Sequence, residues 1–149
     1  DDQPQQADWV TGACMLVRGQ ALEQVGLLDE RFFMYSEELD WCRRFVASGW
    51  QVLYWPSAVV VHYEGQSSDQ VVAARHIHFQ TSKILYFLKH HGPPQAAMLR
   101  AFLLSTYGFQ LVEETAKYLI GHKRALRRQR IAAFTQVLRS RLRPSARGG

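Results

Sequence analysis

The sequence contains little cysteine: Cys14 and Cys42 are the only two in 149 residues, and neither belongs to a C-x-x-C pair. Two isolated cysteines argue against a disulfide framework or a zinc site, and they favour a reducing cytoplasm. No stretch reaches the roughly 18–20 consecutive apolar residues that a membrane-spanning helix needs. The opening, DDQPQQADW, is acidic and polar, unlike a signal peptide. Because 47% of the residues are hydrophobic, we expect one folded domain, or part of a larger one.

Acidic residues are nearly missing from the second half of the chain. Residues 71–149 carry fourteen basic residues and two acidic ones, a net charge of +12, whereas residues 1–70 carry four basic and eleven acidic ones, a net charge of −7. The overall charge of +5 therefore hides two halves of opposite sign. Either the halves meet different partners, or one balances the other.

The first 69 residues mix predicted strands and helices, after a frayed start at residues 1–7. Residues 9–18 are rich in strand formers, although glycine interrupts them, and a short helix is predicted over 19–26. Strands are also predicted at 50–55, closed by a proline, and at 57–64. The hydrophobic period then changes, and this change predicts a domain 1–69 followed by a helical segment 70–149.

Three helices are predicted in the helical segment. The first covers 70–91 and stops at a Gly-Pro-Pro sequence, the second runs from about 95 to 120, and the third covers about 122–142. The third helix is strongly basic. Its apolar side chains recur at helical spacing, at Ile131, Phe134 and Leu138.

Residues 32–45, FFMYSEELDWCRRF, place a dense acid cluster directly behind an aromatic run. Ser36 is predicted to cap a helix with its hydroxyl, so that Glu37, Glu38 and Asp40 fall near the first turn, where the helix dipole favours negative charge. In one interpretation the acids only stabilise the helix, by about 0.3–1 kcal/mol. In the other, a carboxylate projects into a cleft walled by aromatic rings, which raise its pKa and suit it to act as a general base.

The same helix is predicted to end at Gly49, because glycine readily adopts the left-handed conformation that terminates helices. Its helical spacing predicts one buried stripe, formed by Leu39, Cys42, Phe45 and Val46.

The order of four segments carries more information than any one of them. WVTGA, VGLLDERFFMYSEELDWCRR, GWQVLYWP and VVVH follow one another within residues 8–68. This series resembles the C-terminal half of the catalytic domain in family 2 glycosyltransferases, and most of all the rhamnosyltransferase-like group that builds bacterial surface polysaccharides. The resemblance implies the acceptor-side part of a GT-A fold, an α/β sandwich. We therefore expect an α/β to α+β fold class for residues 1–69.

The resemblance also implies roles for individual residues. Glu38 takes the place of the family's catalytic base, with Glu37 as a second candidate and Asp40 as an orienting or metal-side group. His62 matches a histidine that reaches the metal or the donor diphosphate, the metal being Mg²⁺ or Mn²⁺ in the complete enzyme. The expected substrate-binding residues are Trp9, Gly12, Ala13 and Tyr35. For Trp9, Gly12 and His62, ordinary packing within a strand is an alternative reading.

The implied activity is inverting transfer of a sugar, rhamnose being one candidate, from a nucleotide-sugar to a glycan or a lipid-linked acceptor. The sequence has no Asp-x-Asp motif and no nucleotide-binding half, which the family needs for the donor. We therefore expect these residues alone to transfer no sugar. An alternative is a non-catalytic interaction domain derived from the same fold. A sheet edge left open by a missing half would favour a homodimer.

The basic third helix has three interpretations. A basic amphipathic helix can lie on an anionic membrane surface, which would place the protein at the inner face of the plasma membrane. The helix can equally present a solvated basic face while it packs on the two preceding helices. Nucleic-acid binding is a third possibility, but the chain lacks a recognisable reader motif and its acidic half would repel phosphate. We therefore expect no nucleic-acid partner.

Overall fold

The computed structural model describes residues 3–62 and 72–144. The chain divides into two compact units, Asp1–Glu64 and Gly65–Arg147. The domain boundary predicted between residues 69 and 70 lies outside the described residues. Among the helices that are described, none has both the length and the hydrophobicity that crossing a bilayer requires.

The first unit combines two short helices with a small sheet. Its elements in chain order are β1 (Gln5–Ala7), α1 (Gly19–Val25), α2 (Glu37–Ala47) and β2 (Val52–Tyr54). The two strands pair antiparallel, with Gln5 opposite Tyr54 and Ala7 opposite Val52. For residues 5–7 the prediction of a frayed start was wrong, because β2 supplies them with a pairing partner.

Two predicted strands do not form within the described residues. Residues 9–18 contain a turn and irregular backbone before α1 begins, and residues 57–62 contain no strand. Several apolar side chains in these segments lie exposed, with Leu16 fully exposed and Val59 86% exposed. A strand needs a neighbour to satisfy its backbone amides and carbonyls, and sequence preference alone does not supply one.

Helix α2 begins directly after Ser36 and ends just before Gly49, as predicted. The Gly49 amide donates to the Val46 carbonyl and the Trp50 amide to the Phe45 carbonyl, both at 3.0 Å, while Gly49 has a φ of 86°. These are the bonds of a Schellman C-terminus. Of the predicted buried stripe, Cys42 and Phe45 are buried and Leu39 is half-buried. Val46 is 43% exposed, and Asp40 is buried instead.

The second unit is a three-helix bundle made of α3 (Val72–His91), α4 (Pro93–Leu119) and α5 (Arg124–Ser140). Helix α4 begins two residues earlier than predicted because Pro93 and Pro94 occupy its first turn, where proline costs no hydrogen bond. The three helices all pack on one another. Their shared core contains Ile84, Ala96, Tyr107, Val137 and Leu142.

Candidate functional site

The backbone is strained where α2 begins. Tyr35 and Ser36 have φ angles of 71° and 67°, in the left-handed region that non-glycine residues rarely adopt. The prediction that the Ser36 hydroxyl caps the helix was wrong, since its side chain makes no capping hydrogen bond. A capping side chain needs an extended backbone at its own residue to reach the next amides, and the left-handed turn prevents this. Strain of this kind costs about 1–3 kcal/mol per residue and is often found at functional sites.

Two carboxylate oxygens are buried without partners directly after this strained turn. The Oε2 atoms of Glu37 and Glu38 are shielded from solvent and accept no hydrogen bond in the described structure. Burial raises the pKa of Glu37, a hydrogen bond with the backbone of Glu37 itself partly offsets this, and the negative charge of Glu38 adds to the increase. An unsatisfied buried acceptor costs about 1–3 kcal/mol, and a bound ligand hydroxyl would recover that cost by donating to it.

Gly12 lies against the side chain of Glu38. A methyl group placed on Gly12 would sit 3.6 Å from Cβ, 3.8 Å from Cγ and 3.9 Å from Cδ of Glu38. The structure thus brings together two residues that the sequence assigned to one site from segments 26 positions apart. Since these distances are ordinary van der Waals contacts, alanine fits at position 12, whereas a longer side chain would compete with Glu38 for space.

Cys42 lies one helical turn after Glu38 and was not expected at the site. It is fully buried, and both cysteines carry free thiols. Burial raises the pKa of the Cys42 thiol, and the negative charge of Glu38 raises it as well. A hydrogen bond with the backbone of Val10 lowers this pKa by less than burial raises it. The thiol therefore stays neutral and acts as apolar packing beside Glu38. The spacing of four residues from Glu38 is the sequence signal that could have identified it.

Asp40 is fully buried in an ion pair with Arg44. The Arg44 Nε atom donates to Oδ2 of Asp40 at 2.9 Å, and the two terminal nitrogens of Arg44 donate to the carbonyls of Val25 and Leu27, each at 2.7 Å. Asp40 therefore orients an arginine that satisfies carbonyls at the C-terminal end of α1. Its predicted role as an orienting or metal-side group stays a prediction. The i, i+4 spacing of an aspartate and an arginine is the signal for this pair.

The other predicted site residues lie nearer to solvent. Trp9, Ala13 and His62 are exposed, and Tyr35 is half-buried in the strained turn. Their roles stay predictions. Within residues 3–62 and 72–144, no group of three His, Cys, Asp or Glu side chains is arranged to hold a metal ion. The described residues thus do not form a complete metal site.

Some of the basic side chains of α5 form ion pairs inside the helical bundle. Arg127 is buried, and its NH1 atom donates to both carboxylate oxygens of Glu114 at 2.8 Å. Arg130 donates to the same carboxylate at 3.2 Å. Phe134 and Leu138 pack against the core of the bundle. The apolar side of α5 therefore packs towards α3 and α4. This agrees with the interpretation in which α5 packs on the two preceding helices and presents a solvated basic face.

Comparison with known proteins identifies a family and several relatives that this chain resembles. A family model described as "Glycosyltransferase like family 2" matches residues 2–76. An N-acetylglucosaminyl-diphospho-decaprenol L-rhamnosyltransferase of Mycobacterium tuberculosis is 37% identical over 92 residues, which are 62% of this chain and 30% of the relative. A rhamnosyltransferase of Escherichia coli is 38% identical over 56 residues, 38% of this chain and 21% of the relative.

A low-salt glycan biosynthesis hexosyltransferase of Haloferax volcanii is 46% identical over 37 residues, 25% of this chain and 12% of the relative. The alignments thus span less than a third of the length of these curated relatives. No solved structure matches the chain. The family match covers the segment that contains Gly12, Glu37, Glu38 and Asp40.

Proposed function

Because the chain belongs to glycosyltransferase family 2, we propose that it supplies the acceptor side and the general base of an inverting sugar transfer. The observation that carries this proposal is the pair of buried, unpartnered Oε2 atoms of Glu37 and Glu38 at the strained start of α2. In our proposal the acceptor hydroxyl donates its hydrogen bond to Oε2 of Glu38. The bound acceptor then satisfies an oxygen that the described residues leave without a donor.

The proposed reaction is a single displacement. Glu38 takes the proton of the acceptor hydroxyl while the hydroxyl oxygen bonds to the anomeric carbon of the donor sugar. The bond from that carbon to the diphosphate oxygen breaks, and the nucleoside diphosphate leaves with the electron pair. Gly12 leaves room for the acceptor beside Glu38 because it has no side chain. Glu37 is the second candidate base, and its raised pKa makes the carboxylate a stronger proton acceptor.

For the substrates, we propose nucleotide-activated rhamnose as donor and a sugar linked through diphosphate to a polyprenol as acceptor. Support comes from the names of the Mycobacterium tuberculosis and Escherichia coli relatives, which specify rhamnosyl transfer and, in the first case, a lipid-linked acceptor. The mycobacterial relative is similar over 62% of this chain.

We further propose that the complete enzyme uses Mg²⁺ or Mn²⁺ and has a GT-A fold. Such a metal supplies charge stabilisation for a departing diphosphate. We propose that His62 of this chain faces the metal ion and that the remaining ligands come from elsewhere in the protein. The exposed apolar residues of the irregular segments, such as Leu16 and Val59, suit the proposal that these segments join a larger sheet in the complete fold.

The test of the base is the Glu38→Gln substitution in the full-length protein. We expect kcat for rhamnose transfer to fall by about 10²–10⁴-fold, with little change in the KM of the nucleotide-sugar, because glutamine keeps the size of the side chain but cannot accept the proton. The measurement is steady-state transfer from nucleotide-activated rhamnose to a polyprenyl-diphosphate-linked sugar.

Glu30→Gln is the matched control, since Glu30 is an exposed acid outside α2, and it should leave kcat unchanged. Full activity of Glu38→Gln together with a large loss in Glu37→Gln would move the base to Glu37. Full activity in both variants would refute the assignment of a base to this helix.

A second candidate is an interaction domain held at an anionic membrane surface, which would place the protein at the cytoplasmic side of the plasma membrane. Its support is the group of exposed cations on and before α5, namely Lys123, Arg124, Arg128 and Arg130. Attraction of such a group to anionic lipid is worth about 1 kcal/mol per cation. Against this candidate, the apolar residues Phe134 and Leu138 pack on the core of the bundle, so they do not face a lipid surface.

A further inference from the structure

One face of α4 is mostly apolar from Met98 to Leu119, and no other helix of the three-helix bundle covers it within the described residues. Every residue of this face is exposed, and the residues follow one another at alternating intervals of four and three: Met98, Phe102, Ser105, Phe109, Val112, Ala116 and Leu119. We call these seven residues the α4 stripe. An alternating four-three spacing sustained over about three heptads is the pattern of a helix that packs along a partner helix.

The stripe exposes enough apolar surface for a stable interface. Its large side chains are all about 70% exposed: Met98 at 70%, Phe102 at 65%, Phe109 at 71%, Val112 at 69% and Leu119 at 72%. Ile120, just beyond the helix, is 82% exposed. If a full side chain of this kind offers about 150–200 Å², the six expose roughly 600–800 Å². A standard protein interface buries about 800 Å² on each partner.

Charge is nearly absent beside the stripe. The exposed positions that border it are mostly small or uncharged, and Glu113 is the one charged residue among them; Lys117 forms an ion pair with it. The opposite side of α4 supplies Tyr107 to the core and Glu114 to the buried ion pair with α5. The helix is therefore held in place by its own unit while its apolar face stays open.

From this face we infer that α4 pairs with α4 of a second copy of the chain, in antiparallel orientation. A heptad has two apolar positions, and in an antiparallel helix pair the first position of one helix faces the second position of the other. One register of the α4 stripe then places a larger side chain opposite a smaller one in each layer that pairs two stripe residues: Phe109 opposite Ser105, Phe102 opposite Val112, and Met98 opposite Ala116. Leu119 then faces Gln95, at the end of the contact. Such alternation lets facing layers interdigitate.

A parallel pair is less suitable on two grounds. It would set Phe102 against Phe102 and Ser105 against Ser105, so that crowded layers alternate with gaps. It would also align the dipoles of two 27-residue helices in the same direction. The antiparallel arrangement is two-fold symmetric, as most homodimers are, and it leaves the basic residues of α5 outside the contact.

The first test is sedimentation equilibrium of the 149-residue chain over a range of concentrations. We expect a dimer, and we expect Phe109→Glu to weaken it by roughly 30-fold or more, because a charge would be buried at a central aromatic position. Phe109 is 71% exposed in the single chain, so the variant should keep the circular dichroism spectrum of the wild type. Leu126→Glu is the matched control, an exposed leucine on α5 that should leave the dimer unchanged.

The second test fixes the orientation. In a Cys14→Ser background, chains carrying Met98→Cys are mixed with differently tagged chains carrying Ala116→Cys under mild oxidation. Antiparallel pairing should yield disulfide-linked heterodimers, and either variant alone should cross-link poorly. Efficient cross-linking of Met98→Cys chains with each other would instead show a parallel pair and overturn the proposed register.

The third measurement separates a second copy from a lipid surface. Vesicles with and without anionic lipid are sedimented with the wild-type chain and with Phe109→Glu. We expect any vesicle binding to be the same for both. A monomer at all concentrations, or vesicle binding that Phe109→Glu abolishes, would overturn the proposal and assign the face to another occupant.

Discussion

At the scale of single residues, the start of α2 has an unusual feature at each of four consecutive positions. Tyr35 and Ser36 hold left-handed backbone angles, and the next two residues each bury one carboxylate oxygen without a donor. Each feature destabilises the folded chain on its own. In our proposal, an acceptor-binding site accounts for their concentration in one place, beside Gly12.

The raised pKa of Glu37 leads to a prediction about stability. A group whose pKa is higher in the folded state stabilises the fold below its ordinary pKa of 4.5, and this contribution is lost as pH rises through the folded pKa. We therefore expect Glu37→Gln to raise Tm at pH 7–8 by a small amount, no more than about 3 °C, and to have no effect near pH 4. Thermal unfolding across this pH range measures it. A Tm that falls at pH 8 would show that the charged carboxylate has a partner.

Glu114 leads to the opposite pH dependence in the helical unit. Its hydrogen bonds from Arg127 hold its pKa below the ordinary value of 4.5. Its stabilising contribution is present above pH 4.5 and is lost as pH falls through the folded pKa. Glu114→Gln should therefore lower the Tm of the helical unit at pH 7, and the difference from wild type should shrink below pH 4.5.

Glu113→Gln is the control for this prediction, because Glu113 is the neighbouring residue but lies exposed in an ion pair with Lys117. Exposed pairs of this spacing contribute at most a few tenths of a kcal/mol. Equal effects of the two substitutions would contradict the assignment of the stabilising interaction to the buried carboxylate.

At the scale of elements, α2 is fastened to the end of α1 by side chains that reach backbone carbonyls. Besides Arg44, the indole nitrogen of Trp41 donates to the carbonyl of Gly26 at 2.9 Å. The indole of Trp50, just after α2, donates to the side chain of Gln24 at 2.9 Å. The C-terminal carbonyls of a seven-residue helix are satisfied in this way. The two helices thus hold the loop between them, which carries the strained turn.

The buried ion pair of Asp40 and Arg44 predicts the effect of Asp40→Asn. Removing the negative charge leaves Arg44 without its buried counter-ion, so the free energy of unfolding of the first unit should fall by about 2–4 kcal/mol. Urea denaturation followed by tryptophan fluorescence measures the loss. Asp29→Asn serves as control, since it breaks an ion pair with Arg31, whose side chain is 51% exposed, and should cost no more than about 1 kcal/mol. Equal losses would show that burial of Asp40 contributes nothing.

At the scale of the whole molecule, the two units differ both in net charge and in the surfaces they offer. The acidic first unit carries the candidate site, and the basic second unit carries a helical bundle with an open apolar face. The segment aligned with the mycobacterial relative spans 30% of that relative's length. The described residues also lack a group of side chains suited to a metal ion. In our proposal, donor binding is therefore the task of residues other than these.

This division predicts that the 149-residue chain alone transfers no sugar. Turnover is measured with nucleotide-activated rhamnose, with and without added Mg²⁺ or Mn²⁺, against a polyprenyl-diphosphate-linked acceptor. The full-length protein is the positive control. Robust transfer by the isolated chain would show that it binds the donor without further residues, and would refute our proposed division of labour.

Several features of the chain followed from the sequence alone. The bounds of the helices were predicted to within a few residues, because helical periodicity, glycine stops and prolines act locally. The order of four segments was sufficient to identify the glycosyltransferase family, which the comparison confirmed. These features depend on residues that are neighbours along the chain.

The tertiary structure decided what depends on residues far apart in the sequence. It paired β1 with β2 but formed no strand over residues 9–18, although residues 9–18 are rich in strand formers and residues 5–7 are not. It buried Asp40 against Arg44 and exposed Val46, and it placed Gly12 on Glu38. It also left one face of α4 open while burying the apolar side of α5. Burial and pairing are properties of contacts between elements, and a local pattern states only which residues are able to make them.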